Sequence, residues 1–166
     1  MAEGDKLERV ACKIFETDMP GDTITEMVKY INDFSGTNAF DSMGIASFGP
    51  ICIDKTSDKY GFVTTTPKVK WQNFDLVGSL EKHLTKKSST FATTFDTDCN
   101  ILAAFEFQQS LNSSTPLKES LCYITVGTGI GIGLIVNGKC VHGMMHPEGG
   151  HAMVLRHKDD TFEGVC

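Results

Sequence analysis

The stretch from Leu121 to Gly138 reads LCYITVGTGIGIGLIVNG, and its pattern decides how the rest of the chain is interpreted. Residues 121–126 form a short apolar run that predicts a buried strand, and residues 132–136 predict a second one. Asn137-Gly138 is the two-residue turn most typical of β-hairpins, and a third strand is expected to follow it. The stretch therefore predicts antiparallel strands around a corner that is rich in glycine.

The corner contains Gly127, Thr128, Gly129 and Gly131. Glycine lets backbone N–H groups converge without obstruction by side chains, and such a nest can bind phosphate. A dinucleotide-binding loop would be followed by a helix, and a Walker loop would end in Gly-Lys-Ser or Gly-Lys-Thr; neither is present. Two interpretations stay open, a phosphate-binding loop and a glycine-rich hairpin corner without a ligand.

Upstream of this stretch, strand and helix patterns alternate over residues 10–110, which predicts an α/β domain. The polar segment NSSTP at 112–116 resembles a linker. We therefore divide the chain into an N-terminal α/β domain at 1–111, a linker at 112–120 and the start of a second domain at 121–166. The predicted elements of the first domain are a weak strand pair over 7–18, helices near 24–34, 76–84 and 101–109, and strands at 43–48, 60–66 and 91–95.

Composition excludes several classes of protein. The 166 residues carry a net charge of −6, with 40% hydrophobic and 22% charged residues, as in ordinary globular proteins. An acidic chain lacks the basic surface that binding to nucleic acid or an anionic membrane requires. No apolar run approaches the roughly 20 residues of a membrane helix, and the first ten residues do not resemble a signal peptide. Six scattered cysteines without an export signal favour free thiols in a cytoplasmic protein.

Two polar clusters and one aromatic segment could belong to a site. In Thr97-Asp98-Cys99-Asn100, Asp98 could be a helix N-cap or a general base at the end of a strand. In HPEGGH at 146–151, glutamate and histidine could bind a polyol or a metal, or could lie in a solvated loop. Trp71, together with SFGP at 47–50, could form the wall of a sugar site or simply pack in the core.

The spacing of His151 and Cys166 also allows both residues to bind one zinc ion. A structural zinc site needs four ligands, so this pair alone does not make one.

Five segments together carry a resemblance to a known family. They are GIASFGP at 44–50, TTTPKVKW at 64–71, TDCN at 97–100, YITVGTGIGIG at 123–133 and HPEGGH at 146–151. They occur in the same order as in the ROK family of sugar kinases, and the chain resembles the bacterial-type fructokinase branch of that family. The resemblance implies the actin-like ATPase fold, which is ribonuclease H-like, with two α/β domains around a cleft; the second domain is expected to be incomplete here.

The resemblance also implies an activity, the ATP-dependent phosphorylation of a hexose, with D-fructose converted to fructose 6-phosphate as the favoured reaction. Asp98 would be the base that takes the proton from the attacking hydroxyl. Asn100 would lie beside it and, with Glu148 and His151, would bind the sugar. The remaining implied ligands are ATP on Gly127, Thr128, Gly129 and Gly131, Mg²⁺ with the nucleotide, and Zn²⁺ on His151 and Cys166.

Two departures from the family pattern lead to an alternative. The first phosphate loop of the family, an acidic residue followed by Gly-Gly-Thr, has no counterpart before Lys6, and the histidine and cysteine that follow the counterpart of Cys166 are missing. The chain thus resembles a kinase shortened at both ends. It could be an inactive sugar-binding or interaction fragment whose strands lack covering helices. The resemblance also allows a homodimer, while a repressor of the same family would need a DNA-binding segment that this sequence lacks.

Overall fold

The computed structural model describes residues 11–114, 119–127, 129–142 and 148–163. These ranges contain three helices, α1 to α3, and two short 3₁₀ turns. They also contain seven strands, β1 to β7, which form three small sheets. In chain order the elements are α1 Pro20–Ser35, β1 Phe40–Ser47, β2 Phe62–Val63, the turn Val69–Trp71, β3 Phe74–Asp75, α2 Leu76–His83, β4 Lys87–Thr97, α3 Asp98–Leu111, β5 Leu121–Val126, β6 Ile130–Val136, β7 Lys139–Cys140 and the turn Gly149–His151.

Strands β1 and β4 are parallel, and their pairing positions the candidate site. The register matches Ile45 with Phe95 and Ser47 with Thr97, so both strands end at the same edge. Parallel strands need a crossover connection, which here contains β2, β3 and α2. The segment after β1 and the start of α3 consequently meet at one edge of the sheet.

The largest hydrophobic core lies between this parallel pair, α1, α2 and the β2–β3 hairpin. Trp71 belongs to this core: it is 5% exposed and packs edge-on against Phe48 and Phe74. Its indole Nε1 donates a hydrogen bond to the Asp18 carbonyl at 2.9 Å. Of the two roles considered for Trp71, the structure supports packing. The other fully or nearly buried apolar side chains of this core are Ile24, Val28, Ile45, Ile51, Val63, Leu76, Val77, Leu80 and Phe95.

Helix α3 contacts the parallel pair and also packs against the second sheet, in which β5, β6 and β7 lie in sequential antiparallel order. Ala103 and Phe107 on α3 and Ile135 on β6 form a smaller core. The predicted glycine-rich hairpin is confirmed, with Asn137-Gly138 at its second turn, where both residues have positive φ. On the opposite face of the sheet, Ile124, Val126 and Ile130 are exposed, as expected for strands without a covering helix in the described part of the chain.

Three local predictions differ from the structure. Residues 11–18 have no regular secondary structure, so the strand prediction is wrong there, while residues 7–10 lie outside the described part. The Thr23 hydroxyl donates to the Glu16 carbonyl, which ties this segment to α1 instead of to a strand. Helix α1 begins at Pro20, four residues before the predicted start near residue 24, because proline suits the first helical turn. The strand expected at 60–66 shortens to Phe62–Val63.

Two further observations concern the membrane and the cysteines. Among the described residues, no helix is long and apolar enough to cross a lipid bilayer. The five cysteines of the described ranges are free thiols, as predicted; they are Cys12, Cys52, Cys99, Cys122 and Cys140.

Candidate functional site

The site begins where β4 passes into α3. Thr97 is the N-cap of α3, and its hydroxyl accepts a hydrogen bond from the Asn100 backbone N–H at 3.1 Å. Asp98 is the first residue of the helix, and its carboxylate accepts from the Cys99 N–H at 2.8 Å. The interpretation of Asp98 as the N-cap is therefore wrong. Because the Thr97 hydroxyl already caps the helix, the Asp98 carboxylate is not needed as a cap, and it is exposed.

A cavity of about 910 Å³ lies against this helix end. Phe48, Gly49 and Pro67 line one side of it, and the residues that join β4 to α3 line another. The glycine corner and the segment around the second 3₁₀ turn complete the wall. The cavity thus brings together six of the predicted site residues, namely Asp98, Gly127, Gly129, Gly131, Glu148 and His151.

The other three predicted site residues are Asn100, Thr128 and Cys166. Thr128 and Cys166 lie outside the described residues. Asn100 is fully buried behind the wall, in the first turn of α3.

The glycines of the corner divide into two groups. A Cβ atom at Gly127 or Gly129 would meet no other atom within 4 Å, and the Gly127 N–H donates to the Gly129 carbonyl at 3.0 Å. At Gly131 a Cβ would overlap the Cys99 sulfur, and at Gly133 it would lie 2.6 Å from the Cys99 carbonyl carbon. The first pair is therefore open to a ligand, whereas the second pair lets β6 approach α3 closely.

The glycines before His151 have a similar packing role. A Cβ at Gly150 would overlap the Ile130 carbonyl, so only glycine lets this segment lie against β6. The close approach places Glu148 and His151 at the cavity, with 3.7 Å between Glu148 Oε2 and His151 Nε2. The sequence analysis did not predict that these glycines allow close packing against β6, although two adjacent glycines are the pattern that could have indicated it.

The thiol of Cys99 forms a neutral part of the wall. Burial raises the pKa of Cys99, the negative charges of Asp98 and Glu148 raise it further, and the Thr125 hydroxyl partly offsets these effects. The Cys99 sulfur and the Thr125 hydroxyl oxygen are 3.7 Å apart. A thiol with a raised pKa remains protonated at neutral pH, so Cys99 acts as a small apolar side chain.

Sequence reasoning also missed a polar cluster behind Asp98. Asp96 accepts a hydrogen bond from Asn100 Nδ2 at 3.0 Å, and its other oxygen lies 2.6 Å from His142 Nε2. The contact with His142 spans 46 residues of sequence. No local spacing rule connects positions that far apart.

The described residues do not supply a metal site. No group of three or more His, Cys, Asp and Glu side chains within them could hold an ion. Of the two predicted zinc ligands, His151 lies at the cavity and Cys166 is outside the described part. Of the four ligands that a structural zinc ion needs, the described residues therefore contain one predicted ligand, His151.

Comparison with known proteins gives a family and close relatives. A model of the ROK family matches residues 2–166. The fructokinase of Lactococcus lactis subsp. cremoris is 40% identical over 153 residues, which cover 92% of this chain and 48% of that protein. The fructokinase of Streptococcus mutans is 40% identical over 169 residues, covering 99% of this chain and 54% of that protein. The chain thus spans about half the length of these relatives.

A solved structure agrees at the level of fold. The inorganic polyphosphate/ATP-glucomannokinase of Arthrobacter sp. strain KM superposes with a TM-score of 0.57 at 21% sequence identity. The match covers 81% of this chain and 49% of that one. The architecture is thus that of the actin-like ATPases, as the order of the motifs predicted.

Proposed function

The chain belongs to the ROK family, and from this premise we propose that it catalyses the ATP-dependent phosphorylation of a hexose. One observation carries the proposal. The Asp98 carboxylate shares a single cavity with an open glycine corner on one side and with Glu148 and His151 on the other. A carboxylate, a glycine-rich backbone that phosphate can approach and a pair of polar side chains suit phosphoryl transfer to a sugar hydroxyl.

Asp98 is proposed to be the general base. It would accept the proton of the hexose hydroxyl as that oxygen attacks the γ-phosphate of ATP. A carboxylate suits this role because the transition state of phosphoryl transfer is loose, so the residue mainly has to orient the hydroxyl and receive its proton late. The exposed position at the start of α3 lets Asp98 meet a substrate.

The glycine corner is proposed to hold the phosphates of ATP. The space beside Gly127 and Gly129 is open, so a phosphate oxygen could approach their backbone closely. Thr128 would add a hydroxyl donor. Mg²⁺ that accompanies the nucleotide would neutralise part of the phosphate charge.

Glu148 and His151 are proposed to bind the sugar. Carboxylate and imidazole groups both form hydrogen bonds to hydroxyls, and these two lie near enough to engage neighbouring hydroxyls of one ring. D-Fructose is the favoured substrate because the relatives at 40% identity are fructokinases. Zinc on His151 and Cys166 remains a prediction of the resemblance, and metal analysis of the purified chain would test it.

The experiment is an assay of ATP-dependent phosphorylation of fructose, glucose and mannose by the 166-residue chain. We expect fructose 6-phosphate from the wild type and a loss of about 10²-fold or more in Asp98→Asn, which preserves shape but removes the base. Asp54→Asn is the matched control, because Asp54 is an exposed carboxylate in a surface turn outside the cavity.

Equal rates for the wild type and Asp98→Asn would contradict the proposal. Saturable fructose binding without turnover would instead support the alternative, a sugar-binding fragment.

A further inference from the structure

A partly buried carboxylate, that of Asp96, lies two residues before the candidate base. The Asp96 side chain is 14% exposed, and its two oxygens have separate partners. One oxygen accepts from the Thr97 N–H at 2.7 Å and from Asn100 Nδ2 at 3.0 Å. The other lies 2.6 Å from His142 Nε2. Because an ionised carboxylate only accepts hydrogen bonds, the ring nitrogen donates in this contact.

The contact joins two walls of the cavity. We call β4 with α3 the base wall, since it carries Asp98, and β5 to β7 with His142 the sheet wall, since it carries the glycine corner. Among the described residues, two other polar contacts join these walls, and both are long sulfur contacts: Cys99 to Thr125 at 3.7 Å and Cys140 to the Asn100 carbonyl at 3.9 Å. A short bond to a carboxylate is much stronger than either, because charge-assisted hydrogen bonds are roughly twice as strong as neutral ones.

Asn100 extends the same cluster. Its side chain is fully buried, and its Nδ2 faces Asp96, which leaves Oδ1 buried without a donor among the described residues. Turning the amide around would place Oδ1 against the carboxylate, where two acceptors would repel each other. The Asn100 amide is thus oriented with its donor toward Asp96, which holds one oxygen of that carboxylate in place.

We propose that Asp96 is a positioning residue, which holds the base wall against the sheet wall through His142 and thereby sets the distance from Asp98 to the phosphate loop. This inference rests on the proposed kinase function. Reaction between two bound substrates is sensitive to displacements of about 1 Å, so a looser contact between the walls should slow the chemical step. Binding of either substrate should change little, because Asp96 does not line the cavity.

The test compares Asp96→Asn, His142→Phe and His142→Gln in the 166-residue chain with the wild type. We expect kcat to fall about tenfold in Asp96→Asn and His142→Phe, with KM for fructose and ATP within about twofold. Glutamine can donate through its amide to the same carboxylate, so His142→Gln should recover much of kcat. Asp41→Asn, which changes an exposed carboxylate on β1, is the matched control and should retain full activity.

Thermal unfolding of the two single variants and of the double variant Asp96→Asn/His142→Phe gives a second readout. The double variant should lose little more stability than either single one, because each change breaks the same contact. If the loss of Tm in the double variant equals the sum of the losses in the single variants, the two side chains do not interact, and the proposal is overturned.

The kinetic results separate this inference from the proposed function. An active wild type with unchanged kcat in Asp96→Asn would overturn the positioning role and leave the kinase proposal intact. A wild type that phosphorylates no hexose would overturn the kinase proposal, and the positioning role with it.

Discussion

Gly133 lies so close to Cys99 that a Cβ atom on the glycine would be 2.6 Å from the Cys99 carbonyl carbon. The same Cβ would be 2.9 Å from the Ala103 side chain. This approach brings β6 onto the first two turns of α3, and with it the glycine corner to the side of Asp98. The close packing of β6 on α3 therefore requires that residue 133 has no side chain.

The first prediction concerns that approach. Gly133→Ala should destabilise the chain by about 1–3 kcal/mol, because backbone on α3 must move to admit the methyl group. Gly127→Ala is the matched control, since a Cβ there meets no atom within 4 Å. Thermal unfolding would show a clear fall in Tm for the first variant and little change for the second. Equal Tm values would show that β6 can move away from α3 without cost.

The second prediction concerns the cap of α3. Thr97→Ala should cost about 1 kcal/mol, because the Asn100 N–H loses the hydroxyl that accepts its hydrogen bond. Thr97→Ser keeps the hydroxyl and should remain close to the wild type in denaturant unfolding. Asp98→Asn should be nearly neutral in the same measurement, while its kinase activity falls. A large stability loss in Asp98→Asn would instead assign Asp98 a structural role.

The third prediction concerns cysteine chemistry. Cys99 should react with iodoacetamide at pH 8 much more slowly than the exposed Cys122, as measured by mass spectrometry of peptides over time. Burial raises the pKa of Cys99 and thus lowers its thiolate fraction, and the thiolate is the reactive form. Raising the pH should therefore increase the rate at Cys99 throughout the alkaline range. Denaturant should remove the difference between the two thiols, and a persistent difference would contradict burial as the cause.

The raised pKa of Cys99 also makes the stability of the chain depend on pH. The folded chain holds this thiol neutral, so its contribution to stability is complete below the pKa of the unfolded thiol, about 8.5. The contribution is lost as the pH rises through the folded pKa. Cys99→Ala should reduce the loss of Tm between pH 8 and pH 10 relative to the wild type, and an unchanged pH dependence would argue against this assignment.

The fourth prediction separates packing from sugar binding at Trp71. Trp71→Phe should lower Tm, because the ring is smaller and the hydrogen bond to the Asp18 carbonyl is lost. KM for fructose should not change, since Trp71 belongs to the core and does not line the cavity. An increase in KM for fructose with an unchanged Tm would instead support the interpretation of Trp71 as part of the sugar site.

Local pattern was sufficient for most of the fold. The apolar run at 121–126 and the Asn137-Gly138 turn predicted the hairpin, because strand period and turn conformation depend on neighbouring residues alone. Strand β4 is longer than the predicted 91–95, because the polar residues at its two ends give no apolar signal, although Lys87, Asp96 and Thr97 among them pair with β1. In the failed strand at 11–18, backbone carbonyls accept hydrogen bonds from side chains. The Glu16 carbonyl accepts from the Thr23 hydroxyl, and the Asp18 carbonyl accepts from Trp71 Nε1, 53 residues along the chain.

By itself, the sequence determined which residue types were available for a site, their order and the elements that carry them, because these depend on local spacing. Only the tertiary structure decided that Thr97 and not Asp98 caps α3, that Gly131 and Gly133 serve packing while Gly127 and Gly129 remain open, and that Asp96 meets His142. For the glycines and for Asp96 the physical reason is distance along the chain, because the contacts join residues far apart in the sequence, such as the 46 residues between Asp96 and His142. The cap is local, but Thr97 and Asp98 both carry a side-chain oxygen that can cap a helix, so only their placement in space decides between them.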